Sequence, residues 1–400
     1  MSRFVVLVFA VGVAQLISWG TLFYAVGVLG APMGAELGMS ELFVFGAFTA
    51  ALVVSGSLAP WAGKLLDRRG GRFVMSIGSL LGAAGMALLA TAAHPVQVVV
   101  GWVVVGAAMA TSLYDPAFAA LSQFMAGTPY RRAVTALTIL GGLASTVFWP
   151  VSQLLMDAWS WRVAFGVHAA LHLFVCLPVH MFLLPNKVEE GPATSMRTTA
   201  ATAEASPPRP GMPWLTLAVA VGSFVSALVA VHVVSLLTAS GLTQSQAIWI
   251  AMLIGPMQVA GRIAEFGFAA RVGVIALGHL AFALLVVATV ALMLVDGLGL
   301  AAFIFVAAYG WGNGIFTIIR GTTPVELWGR RGLGAVLGHL SRAGQYSRAV
   351  APASFSGMLA IGLGRHATLA ILAAFGVGAL ASYARAVRIA RKAPRERDAA

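Results

Sequence analysis

Twelve apolar runs, each about as long as a lipid bilayer is thick, leave this chain few folds to adopt. They lie near residues 4–30, 42–63, 73–93, 96–124, 133–157, 162–184, 214–239, 246–269, 272–295, 299–325, 333–361 and 367–386. Roughly 20 apolar residues are needed to cross about 30 Å of hydrocarbon as a helix. Barrel strands would instead alternate over about ten residues, so continuous runs point to an all-α membrane protein with twelve transmembrane helices. Composition agrees: 60% of residues are apolar and 10% charged, against roughly a quarter charged in an ordinary soluble domain. The first run follows Arg3 and has no convincing small-residue cleavage site, so it reads as the first helix and not as a signal peptide.

A net charge of +12 would suggest nucleic acid in a soluble protein. Here its distribution decides otherwise. Starting inside and alternating sides puts Arg3, Lys64, Arg68, Arg69, Arg72, Arg131, Arg132, Lys187, Arg197, Arg209, Arg262, Arg271, Arg330 and Arg331 on one face, with the tail from Arg385 to Arg397. Only Arg162 and Arg365 remain opposite. The positive-inside rule therefore puts both termini in the cytosol of a multi-pass inner-membrane protein, and the basic tail touches anionic lipid. Nucleic acid is not an expected partner. A single cysteine, Cys176, excludes an intramolecular disulfide.

The polar stretch 185–212, with Gly191-Pro192 and Ser206-Pro207-Pro208-Arg209-Pro210, reads as a cytosolic linker. It separates a six-helix half, 1–184, from a second, 213–386, followed by a basic tail, 387–400. Gly63-x3-Asp67 has a counterpart in Gly261-x3-Glu265, 198 residues on, and Arg131-Arg132 matches Arg330-Arg331, 199 residues on. Two matches at nearly one offset argue for duplication.

Gly63-Lys64-Leu65-Leu66-Asp67-Arg68-Arg69-Gly70-Gly71-Arg72 resembles the signature loop of the major facilitator superfamily, G-x-L-x-D-R-x-G-R-R, with Gly71 where a basic residue is usual. Trp161-Arg162-Val163-Ala164-Phe165 resembles the family's W-R-x-x-F element, and Gly312 to Pro324 is similar to a stretch in little-characterised bacterial members. The resemblance implies two pseudo-symmetric six-helix halves with a substrate site near the midplane between them. It also implies that Gly63, Asp67, Arg68, Gly70 and Arg72 govern conformational gating. Two departures stand out. Trp102 occupies the place of an arginine that the family associates with proton coupling, and Pro150 follows Trp149 where drug/proton antiporters carry G-P.

Charge at mid-membrane is costly and normally faces a cavity or a partner, so Asp115, Arg320, Arg342 and Arg348 come first. By family analogy the fourth and tenth helices line the cavity. Tyr309, Asn313, Thr317 and Arg320 recur at i, i+4, i+8 and i+11 on one helical face. They form either an anion-binding stripe, since arginine suits bidentate carboxylate recognition, or a gate in which Arg320 pairs with Asp115. His339, Arg342 and Tyr346 share a face of the eleventh helix, as substrate contacts or as braces, while Arg348 points the other way to a structural partner. Gln15, Ser18 and Trp19 on the first helix are cavity hydrogen bonders or packing groups.

His168-x3-His172 has metal-ligand spacing, but no Cys, Asp or Glu completes a shell within that helix. The glycine-rich segments lack a preceding strand and a P-loop lysine, so no nucleotide, metal or other cofactor is expected. An enzyme would need a nucleophile, a base and a charge stabiliser together, and the membrane interior shows no such set. The reading is a monomeric secondary transporter of a small organic anion, with Asp115 as the proton-coupling group. Proton-driven efflux of an amphiphilic or toxic compound is the runner-up, and a transporter-like sensor the third alternative.

Overall fold

The computed structural model describes residues 3–125, 127–185, 209–268 and 271–393. Eleven of its helices are long and apolar enough to cross a membrane: α1 Phe4–Glu36, α2 Glu41–Arg69, α3 Gly71–Ala90, α4 Pro95–Ser122, α5 Gly127–Ala158, α6 Trp161–Leu183, α7 Met212–Thr238, α8 Gln244–Gly267, α9 Val274–Met293, α10 Leu300–Trp328 and α12 Arg365–Lys392. Between the last two runs α11, Leu333–Ala360, which has the length but carries His339, Arg342, Gln345 and Arg348 among its apolar residues. Backbone polar groups find no water in hydrocarbon, which is why every span is helical. The proposed linker lies almost wholly outside the described residues, as does the end of the tail.

Local chemistry sets the ends. Ser40 caps α2 by accepting from the Phe43 N–H, Ser160 caps α6 through Val163, and Thr243 with Gln246 forms a capping box on α8. Gly70 ends α2 at φ 85°, a backbone region closed to other residues at little strain, and its N–H still reaches Leu66 O at 2.8 Å.

Prolines interrupt two spans at the expected place. A proline ring clashes with the carbonyl four residues earlier. Pro116 therefore breaks α4 at Leu113, and Pro256 interrupts α8 at Leu253. α5 is interrupted at Leu143, and α1 and α6 contain π-helical turns at Trp19–Tyr24, His172–Cys176 and Val179–Leu183. None of these turns was legible in the periodicity.

Within the first half α1 packs on α5, α2 on α4, and α3 on α4 and α6; in the second, α7 packs on α11 and α12, and α9 and α8 on α10. The halves meet along α2 with α11 and α5 with α8. On the side that holds the termini, one buried apolar core runs through both halves, from Leu66, Phe118 and Tyr130 to Phe316, Ile319 and Leu337. On the far side the core divides. One cluster belongs to the first half apart from Ala349, and another to the second half alone. The molecule is thus joined on the terminus side and parted beyond it.

Candidate functional site

Pro116 leaves the Ser112 carbonyl without a helical donor, and Gln15 supplies one, its Nε2 donating at 2.6 Å. The nine-residue helix that restarts at Tyr114 carries Asp115 in its first turn, where a carboxylate is favoured by the positive end of the helix dipole. Across the seam, Arg320 Nη2 donates to both carboxylate oxygens, at 3.0 Å and 2.8 Å. The two side chains are 6% and 13% exposed. Arg320 lies eight residues before the end of α10 at Trp328, about 12 Å of helix from the terminus side.

Two other members of the α10 stripe bond within the second half. The Tyr309 hydroxyl donates to Ser226 O at 2.6 Å, and that of Thr317 to Asn313 O at 3.1 Å. On α11, Arg348 faces inward and donates to Gln345 Oε1 at 3.0 Å, while Gln345 Nε2 donates to Ser55 Oγ at 3.2 Å. Arg320, Asp115 and Tyr24 are the electrostatic neighbours of Arg348. Arg342 and Tyr346 do share a face, but it is an exposed one, turned toward His339 and Lys64; the Tyr346 hydroxyl meets Ser57 Oγ at 2.9 Å. The structure therefore gathers Asp115, Arg320 and Arg348, and leaves Arg342 and Tyr346 apart from them.

Below this centre the halves are bolted together. Asp67 accepts from the backbone N–H groups of Gly334 at 2.9 Å and Ala335 at 2.8 Å. Gly63 makes this approach possible, because a Cβ there would run into the Gly334 carbonyl. Gly71 N–H donates to Gln123 Oε1, and Arg72 Nε to Leu184 O, so both tie the turn to its own half; Arg68 is exposed. At the second seam Arg131 Nε meets Glu265 Oε1 at 2.6 Å, and the Thr135 hydroxyl donates to Glu265 Oε2 at 2.5 Å. Tyr130 adds a bond to Gly321 O at 2.9 Å.

Two of the cations that charge alternation puts in the cytosol are instead buried between the halves: Arg131, on Glu265, and Arg262. Arg262 is 4% exposed, with its guanidinium against Gly142 of α5. It starts near the end of α8, and its long side chain runs inward.

The model of the Major Facilitator Superfamily matches residues 8–352. This chain belongs to the major facilitator superfamily. As a member it is a secondary transporter, and its fold is that of solved superfamily structures. The human organic anion transporter MFSD10 (TETRAN) aligns at TM-score 0.69 with 17% identity, covering 95% of this chain and 99% of that one. A structure of the E. coli fucose:proton symporter FucP aligns at 0.70 with 14% identity, covering 96% and 99%. Another of FucP, in the outward conformation, aligns at 0.70 with 12% identity over the same shares. A search of curated proteins gives no match.

The superfamily fold also accounts for the histidines as interior groups of α6. His168 meets Ser152 Oγ at 3.3 Å, His172 meets Thr21 Oγ1 at 2.8 Å, and His180 meets Ser79 Oγ at 2.8 Å. Among the described residues no group of three or more His, Cys, Asp or Glu side chains could hold a metal ion.

Proposed function

We propose that this transporter carries a small organic anion across the inner membrane by alternating access, with its termini in the cytosol and its cytosolic side closed in this structure. The observation that carries the reading is a charge imbalance at the centre. Arg262, Arg320 and Arg348 lie inside the protein between the halves, while Asp115 pairs with Arg320 and is an electrostatic neighbour of Arg348. Buried charge is tolerated when it is paired or awaits a partner, and an anion supplies what is missing.

Asp115 and Arg320 act as gate and coupling device together. An entering anion competes for the guanidinium, and a carboxylate left alone in a dry cavity neutralises by taking up a proton. Anion and proton then cross together when the halves rock over. Asp67 and Glu265 hold the cytosolic side until binding favours the alternative state.

Reconstituted protein tests this reading directly. Carboxylates should raise the melting temperature in a screen that also contains phosphates and hydrophobic cations; stabilisation by hydrophobic cations alone would favour efflux of an amphiphile. Asp115→Asn should abolish substrate-coupled proton movement while permitting exchange. Exchanging Asp115 and Arg320 should restore transport only if the pair is purely a gate. Sidedness is checked with cysteines at Ser160 and Ser206: an impermeant thiol reagent applied to intact cells should label the first and spare the second.

A further inference from the structure

We propose that Arg262 is the anchor for the carboxylate of a flat aromatic acid, held where α5 is interrupted. The inference rests on the organic-anion reading and narrows its substrate class. Arg262 is 4% exposed, and its Nε and Nη1 are buried without a hydrogen-bond partner. The other inward-facing arginines differ: Arg131 donates to Glu265, Arg320 to Asp115 and Arg348 to Gln345. Among the described residues no ring stacks on the Arg262 guanidinium either, whereas Arg69, Arg162 and Arg385 each cover an aromatic face. An arginine used only as a brace would reach an acceptor. This one is held in place and left unsatisfied.

Its position is built by two glycines. A Cβ on Gly142 would collide with Arg262 Nη1, and one on Gly141 with the Tyr114 hydroxyl. The guanidinium and the phenol therefore dock side by side on α5 immediately before its interruption at Leu143.

What surrounds them is aromatic. Trp19 lies 4.9 Å from the Tyr114 ring and 6.5 Å from that of Tyr24, and Tyr24 lies 6.0 Å from Trp149. Trp19 Nε1 is another buried donor without a partner. One helical turn beyond Gly142 begins a groove of about 480 Å³ lined by Gly27, Ser145, Thr146, Trp149 and Gln153, within the range of roughly 300–1,000 Å³ usual for small-molecule sites. A cation with an indole donor at one end and aromatic walls beyond suits a carboxylate carried on a ring. A short, fully polar dianion would leave those walls without a function.

Benzoate, its neutral analogue benzamide, and succinate are the probes, each titrated calorimetrically into the full-length protein in detergent. Benzoate should bind at least tenfold tighter than benzamide. Arg262→Gln should weaken benzoate by about ten- to a hundredfold, the share of a charge-assisted contact. Gly142→Ala keeps the charge but displaces the guanidinium, so it should weaken benzoate as well; it also carries the test if Arg262→Gln does not fold. Unchanged benzoate affinity in a folded Arg262→Gln or Gly142→Ala variant, or benzamide binding as tight as benzoate, overturns the proposal. Succinate binding without benzoate binding overturns the aromatic class and leaves the organic-anion reading standing. Binding of neither anion overturns both.

Discussion

Asp67 and Glu265 stand at corresponding ends of α2 and α8, yet they close their seams by different means. Asp67 accepts from two backbone amides at the start of α11. Glu265 accepts from the side chains of Arg131 and Thr135 on α5. Their cationic counterparts diverge too. Arg131 binds the acid, while Arg330, its repeat mate, donates to the Ser122 and Met125 carbonyls at the end of α4. The repeated positions of charge meet different partners in the two halves. One seam is written in main chain and glycine, the other in side chains.

The comparison can be broken experimentally with a cysteine reporter at Ser341, which is 6% exposed and lies beside Asp115 and Gly338. The native Cys176 is fully buried and gives little background. Glu265→Gln should open the terminus side most, because it strands Arg131, and removing one partner of a buried pair costs about 3–5 kcal/mol. Asp67→Asn should come next: an amide NH2, which can only donate, replaces one of the two accepting carboxylate oxygens, a loss of about 1.5–3 kcal/mol. If Asp67→Asn labels the reporter faster than Glu265→Gln, the ranking of the seams is inverted. Gly63→Ala should widen the first seam by main-chain collision, at a typical overpacking cost of about 1–3 kcal/mol, and leave the Arg131–Glu265 bond intact. Arg330→Ala should have the smallest effect. An exposed cation at a helix C-terminus contributes below about 1 kcal/mol, so labelling should rise only slightly.

The two seams also show what a linear reading can reach. Hydropathy and spacing located the spans and the matched positions of Asp67 and Glu265, because those patterns repeat along the chain. The choice between an anion stripe and a gate pair at Arg320 stayed open, since nothing in the spacing of Tyr309, Asn313 and Thr317 states that the Ser226 and Asn313 backbone carbonyls accept from the Tyr309 and Thr317 hydroxyls. For Arg342 and Tyr346 the shared face was legible but its direction was not; helix rotation is set by Gly334 and Gly338 pressing on α2. Arg262 was misplaced for a related reason. Its backbone is near a helix end, and side-chain length carried the charge into the interior. The signal that could have found it, Gly142 on another helix, is 120 residues away.

The polarity of α11 bears on how the protein is made. Arg342 and Arg348 each add about 2.5–3.5 kcal/mol to the transfer of a helix centre into lipid, and His339 and Gln345 add to that burden. Such a segment has little tendency to leave the translocon alone. Its glycines fit against α2, synthesised long before it, and Gly344 faces Ser223 of α7. The first half then serves the second as an intramolecular chaperone: α11 enters the bilayer by docking on a surface already there, and a second half synthesised without the first should leave this helix unthreaded.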